Sequence, residues 1–278
     1  MEGINLSLLP PLEIVDELSH EEITVAIATK AGLENAAASD PAYRVALAAA
    51  YRELLYRQHA NEQVRGVMLA FATGAQLDHI GVTYYKHADG SPVVRLEDES
   101  DDDYRARLQA SPEGLSVAGP VGAYQFHAQS ADSTIKDVAV LSPAPVEVDV
   151  YLLGYEGSGA VDASVCDRVA AYLEPRRPLT DRLTVLPAEI VSYSVTARLT
   201  MSSGPDPELV RQLSEDVAAA YVELKRVMKG RVVSSGLHAS LMQEGVEEVE
   251  LVGWSDVVCE KHEAPFCTSL TVEIAGYV

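Results

Sequence analysis

The stretch Gly114-Leu115-Ser116-Val117-Ala118-Gly119 comes within one residue of G-x-S-x-G. In that motif a strand runs into a helix through a strained turn that pushes the serine hydroxyl outward. Ser111-Pro112-Glu113 precedes it here, a sequence no strand would choose, so the expectation is a glycine-rich turn. Gly154, Gly157 and Gly159 lie between a predicted strand and a predicted helix, where backbone N–H groups can cradle a phosphate. The G-x-G-x-x-G spacing fails at Asp162, and an acid there opposes phosphate; Ser158 or Asp162 as a plain N-cap is the simpler reading. Cys259, His262 and Cys267 are soft metal donors that Glu260 or Glu263 could complete. A structural zinc site usually takes four ligands in close pairs, so a loop with incidental cysteines is expected, and a Cys259–Cys267 disulfide stays open. The acid run Glu97–Asp103 lacks the central glycine and closing glutamate of a calcium loop. No H-E-x-x-H pair occurs among the seven histidines. These residues predict no enzyme, no cofactor and no metal.

The elements that would position such groups follow from periodicity and caps. Ser19 with Glu22 forms a capping-box pattern, after the acidic amphipathic segment Leu12–Leu18. Asp40-Pro41 opens a long helix, about Ala42 to Ala72, of roughly 45 Å at 1.5 Å per residue. Leu47, Tyr51, Leu54 and Leu55 share a face in its first half, whereas Arg57–Gln63 (RQHANEQ) has almost nothing apolar on any side. A helix polar all round is either exposed or docked through hydrogen bonds. Candidate interface residues are therefore Leu54, Gln58, Asn61 and Met68, with Gln58, Asn61 and Glu62 setting register as buried polar groups do between helices. Gly74 should end this helix, with one more turn at Gln76–Ile80.

Lys86–Asp103 reads as a loop whose acids cap a helix at Tyr104–Ala110; Pro112–Gly122 reads as turn and Ala123–Ala131 as helix. From Ile135 the pattern turns to strands: Lys136–Leu141 and Val146–Leu153, a helix at Val161–Leu173, then a strand at Leu183–Leu186. A second unit follows: strand Ile190–Thr200, the Gly204-Pro205 turn, helices Pro207–Met228 and Ser235–Gln243, and strands Val246–Val252 and Ser269–Ile274. The expected fold is α+β: a helical region over 1–134, a β-β-α-β module over 135–187 and an α+β module over 188–278, together elongated.

Composition narrows the partners. The 278 residues hold 42 Asp+Glu against 21 Lys+Arg, a net charge of −21. Such a body repels a phosphate backbone, whose binding depends on Lys and Arg displacing counterions, so nucleic acid and anionic membrane are disfavoured and protein partners remain. The acidic N-terminus, the early Pro10-Pro11 and the three unevenly spaced cysteines predict a soluble, cytosolically made protein without a signal peptide.

Ala50–Gln58 (AYRELLYRQ), Val67–Gly81 (VMLAFATGAQLDHIG), Glu99–Arg107 (ESDDDYRAR), Glu113–Asp132 (EGLSVAGPVGAYQFHAQSAD) and Arg177–Val185 (RPLTDRLTV) resemble baseplate protein J. This is the wedge family of temperate contractile-tailed phages and R-type pyocins. Leu8–Leu18 and Ala264–Thr268 share the likeness, which spans essentially the whole chain. The resemblance implies a structural part of a baseplate inner ring, assembled in the bacterial cytoplasm. Implied partners are a second copy and neighbouring wedge copies, the lysozyme-like wedge protein, the tail-fibre-linking wedge protein and the hub with its spike. It further implies an N-terminal region that enters a helical bundle, ring-closing C-terminal modules, and rearrangement when contraction is triggered. A hydrolase using Ser116 and an adaptor protein outside phage are the alternative classes.

Overall fold

The computed structural model describes residues 5–204 and 206–278. The reading of Met1–Ile4 as lacking a leader, and Pro205 of the expected turn, lie outside the described residues. The chain divides into two compact units. One reaches Arg95 and includes Glu99–Gln109; the other comprises Leu96–Asp98 and Ala110–Val278.

The first unit is helical: α1 (His20–Ala31), α2 (Pro41–Arg65), α3 (Gly74–Tyr84) and most of α4 (Asp101–Ala110). Ser19 and Glu22 form the expected capping box, and Asp40 caps α2 with Pro41 in its first turn. The single helix expected over Ala42–Ala72 ends instead at Arg65. Gly66 caps it, and residues 66–73 form a turn that Arg105 holds: its Nε donates to Leu69 O (2.9 Å) and its Nη2 to Ala72 O (2.7 Å). Gly74 consequently opens α3 rather than closing α2. Helix α4 also starts earlier than expected, since Ser100 Oγ accepts from Asp103 N–H.

Tyr104 is the centre of this unit. Its fully buried ring lies beside two guanidiniums, Arg95 (4.8 Å) and Arg107 (5.2 Å), and its hydroxyl donates to Val93 O (2.8 Å). Arg107 is itself buried and forks onto Glu99 at 2.7 and 2.6 Å, with a third bond to Val94 O. Arg95 joins Asp78 to Asp101, and Asp101 also accepts from Gly74 N–H. The acid run caps the next helix as expected, and its Glu99 and Asp101 also anchor the two arginines beside Tyr104.

The second unit holds two three-stranded sheets and a two-stranded one, matching the α+β expectation. In the first, β1 (Ile135–Leu141), β2 (Glu147–Gly154) and β3 (Arg182–Pro187) lie in that order, β1–β2 antiparallel and β2–β3 parallel. A parallel pair needs a crossover, and α6 (Ala163–Leu173) supplies it. Cys166, Val169 and Leu173 of α6 and Tyr124 and Ala128 of α5 (Val121–Gln129) bury against Val138, Val150 and Leu152.

In the second sheet β4 (Glu189–Met201) is central, antiparallel to β6 (Val246–Leu251) and parallel to β8 (Glu263–Tyr277). Ala197, Leu199 and Met201 alternate inward under Val210 and Ala218 of α7 (Pro207–Leu224) and Leu241 of α8 (Ser234–Leu241). Strand β8 is longer than the expected Ser269–Ile274 because it pairs with β4 from end to end. The two-residue strands β5 (Arg231–Val232) and β7 (Val257–Val258) are too short to leave a periodic signal.

Two predictions follow from the first unit. A Cβ on Gly81 would sit 1.9 Å from the Tyr104 hydroxyl, so Gly81→Ala costs about 1–3 kcal/mol by overpacking, read as a lower urea midpoint. Burial pulls the Asp101 carboxyl upward, but Gly74 N–H and Arg95 outweigh it and hold it below the ordinary value. A carboxylate so depressed stabilises the fold above its unfolded value and loses that contribution as pH falls through the folded one. Thermal stability therefore drops below about pH 4, and Asp101→Asn flattens that acid limb.

Candidate protein interface

Helix α2 has two unlike faces. Ala46, Ala50 and Asn61 are buried, with Glu53, Leu54, Arg57 and Val64 half-buried on the same side. The small alanines let α1 approach closely, and His20 of α1 meets Leu47 O (3.2 Å) and the Tyr51 ring (6.5 Å). On the opposite side Val45, Ala48, Ala49, Arg52 and Tyr56 are all exposed. Arg52 lies 5.4 Å over the Tyr56 ring and donates to its hydroxyl (2.9 Å). Val45 is 69% and Tyr56 62% exposed, so the helix carries an apolar-aromatic stripe that nothing in its own unit covers among the described residues.

Of the polar stretch Arg57–Gln63, Arg57 and Asn61 are docked within the chain. Asn61 is buried; its Oδ1 accepts from Ile14 N–H (3.0 Å) and Val15 N–H (3.1 Å), and its Nδ2 donates to Val15 O (2.9 Å). Arg57 Nη1 donates to Asp16 O, and Arg65 pairs with Glu13 and Glu17. A strap over 13–17, bent at Ile14 and Val15, is therefore held to the helix through Asn61, Arg57 and Arg65. Asn61 acts inside the chain and offers no free face to another subunit. Between strap and helix, Glu17, Leu18, Ser19, Leu54, Arg57 and Gln58 line a cleft of about 280 Å³. Gln58 and Glu62 are exposed, while Met68 is half-buried in the turn after α2. The strap left no pattern in the sequence beyond the polarity of the helix that receives it.

The other sequence candidates fall in turns, loops and strands of the second unit. Ser116 follows a 3-10 turn (Ser111–Leu115), not a strand, and its hydroxyl accepts from Ala118 N–H. The glycine loop closes on itself through Gly154 N–H to Gly159 O (2.7 Å), and Arg226 binds the Tyr155 and Gly157 carbonyls. Asp162 stands at the N-cap of α6 without a side-chain capping bond. Cys166, Cys259 and Cys267 are free thiols, so Cys259 and Cys267 are not bridged. Burial first, then the Glu263 charge, push the Cys259 thiol up to about 11. No described helix is long and apolar enough to cross a membrane. Removing the Asn61 amide frees three backbone groups. Asn61→Ala lowers the opening energy of the strap by about 2 kcal/mol, so Ile14 and Val15 amides exchange about thirtyfold faster while α7 amides do not change.

Comparison with known proteins puts a family beside this geometry. The Baseplate J-like N-terminal domain matches residues 39–86, and the Baseplate J-like central domain matches residues 116–187. A solved structure of the anti-feeding prophage baseplate, 6-fold symmetrised, aligns with 64% of this chain and 43% of its own, at 18% identity and a TM-score of 0.44. Baseplate protein J of Escherichia phage P2 is 37% identical, covering 98% of both chains. Identity sustained over nearly the full length of both sequences means that this chain belongs to the baseplate protein J family.

Proposed function

We propose that this protein is a structural wedge component of a contractile-tail baseplate, with no catalytic role of its own. In this reading it helps form the inner ring around the hub. It links the lysozyme-like wedge protein, the tail-fibre-linking wedge protein and further copies of itself, and it shifts when contraction is triggered. The 37% identity to a baseplate protein over 98% of the chain carries the proposal. The exposed stripe of α2 supports it, since a contiguous apolar face outside the core is the usual mark of an interaction site. We place the wedge and bundle contacts in residues 1–134, with Leu54, Gln58 and Met68 at or beside the interface and Asn61 behind it, and ring contacts in 135–187 and 188–278.

Co-expression with neighbouring reading frames tests the reading: co-purification with wedge or hub proteins supports it, while a stable monomer that captures none favours an adaptor. Val45→Asp or Tyr56→Asp, both surface changes, should weaken wedge formation at least about thirtyfold, the loss of one interface hot spot, with far-UV circular dichroism unchanged. Leu54→Asp and Met68→Asp should block it as well; killing-competent or infectious particles from these variants count against the bundle contact. Ser116→Ala should leave assembly intact, and an esterase activity that this change removes would transfer the case to a hydrolase. Because the chain is so acidic, assembly yield should depend on ionic strength; a flat response removes that part of the account.

A further inference from the structure

The sequence grouped His262 with two cysteines; the fold brings it to two carboxylates instead. We infer that Glu189, His262 and Glu263 form a divalent-cation site of the zinc type where β4 and β8 begin. This inference stands independently of the wedge reading.

One donor atom from each residue lies within 4.8 Å of the others, and His262 Nε2 is 3.7 Å from Glu189 Oε2. Ligands about 2.0–2.2 Å from a tetrahedral zinc are roughly 3.3–3.5 Å apart, so closing the site takes movements of a few tenths of an ångström to about one. The backbone places the three residues side by side. Glu189 and Glu263 are register partners at the head of the β4–β8 ladder, and Glu189 N–H donates to His262 O (3.0 Å). Lys229 N–H donates to Glu263 O (2.8 Å). The Tyr151 ring lies 5.5 Å from the imidazole, and Glu263 Oε2 accepts from Glu260 N–H (2.6 Å). These contacts orient ligands before an ion arrives, as outer contacts do in metal sites. An imidazole nitrogen with carboxylate oxygens suits zinc and its neighbours in the first transition row, with solvent filling the remaining position. The exposed Glu189 leaves the site open to solvent, and the net charge of −21 concentrates cations around it. Buried, protonated Cys259 is a poor competitor for the ion.

Isothermal titration of the full-length protein with zinc chloride decides this. The expected result is one saturable equivalent, weakened at least about tenfold in Glu189→Gln and lost in His262→Ala, with a zinc-dependent rise in melting temperature that both variants reduce. The Cys259→Ser/Cys267→Ser protein should bind as the parent does. Absence of saturable binding, undiminished binding by the His262 and Glu189 variants, or loss on removing the cysteines overturns the assignment. Glu189 is surface-exposed, so its variant keeps the fold testable if the histidine change does not.

Discussion

This acidic chain has half as many cations as carboxylates, and several of its guanidiniums bind main-chain carbonyls that turn away from helix and strand. Arg105 holds Leu69 and Ala72, Arg107 holds Val94, Arg177 holds Pro178 and Asp181, and Arg226 holds Tyr155 and Gly157. Each of these carbonyls would need water or another donor. A guanidinium offers five donors in a planar fork, so one side chain can close a turn and bind a carboxylate together. Arg226 does so with Glu223, and Arg107 with Glu99. A buried ion pair adds little net stability by itself. Its value here is to fix irregular backbone that periodic hydrogen bonding leaves unsupported.

The same constraint explains how much could be read from the sequence. Strands β1 to β4 and helices α6 and α7 fell close to their expected positions, because alternating Val150 and Leu152, or Cys166, Val169 and Leu173 at helical spacing, declare their own core face. The capping pairs Ser19–Glu22 and Asp40–Pro41 were equally plain, being local by nature. What escaped was non-local. Gly66 marks the end of α2 locally, but nothing near it says that Arg105, far along the chain, binds the carbonyls of the turn that follows. The acids Glu99 and Asp101 look solvated until Arg107, Arg95 and the Gly74 N–H are brought to them.

At the interface the division is similar. The polarity of Arg57–Gln63 left exposure and docking against a partner helix both open; in the fold Gln58, His59, Glu62 and Gln63 are exposed, while Asn61 serves residues 14 and 15 of its own chain. The side chains left facing outward, Val45 and Tyr56 among them, lie opposite Asn61 and the buried alanines. Intramolecular docking uses one face of α2, and the other is left for whatever covers it. Both three-stranded sheets share a rule as well: a central strand, β2 or β4, has one antiparallel and one parallel neighbour, despite the lack of any aligned sequence repeat.

Strand β3 ends at Pro187 and β4 begins at Glu189, with only the buried Ala188 between them. Ala188 N–H still bonds Leu152 of the first sheet, and Glu189 N–H already bonds His262 beside the second. A flexible linker would absorb a pull as lost entropy; this joint contains no residue that could pay out. Beside the joint, Ala188 packs with Leu153 and Ala264, and Arg226 bonds the Tyr155 and Gly157 carbonyls, so a pull on one sheet is shared with the other and the two should yield together rather than one after the other.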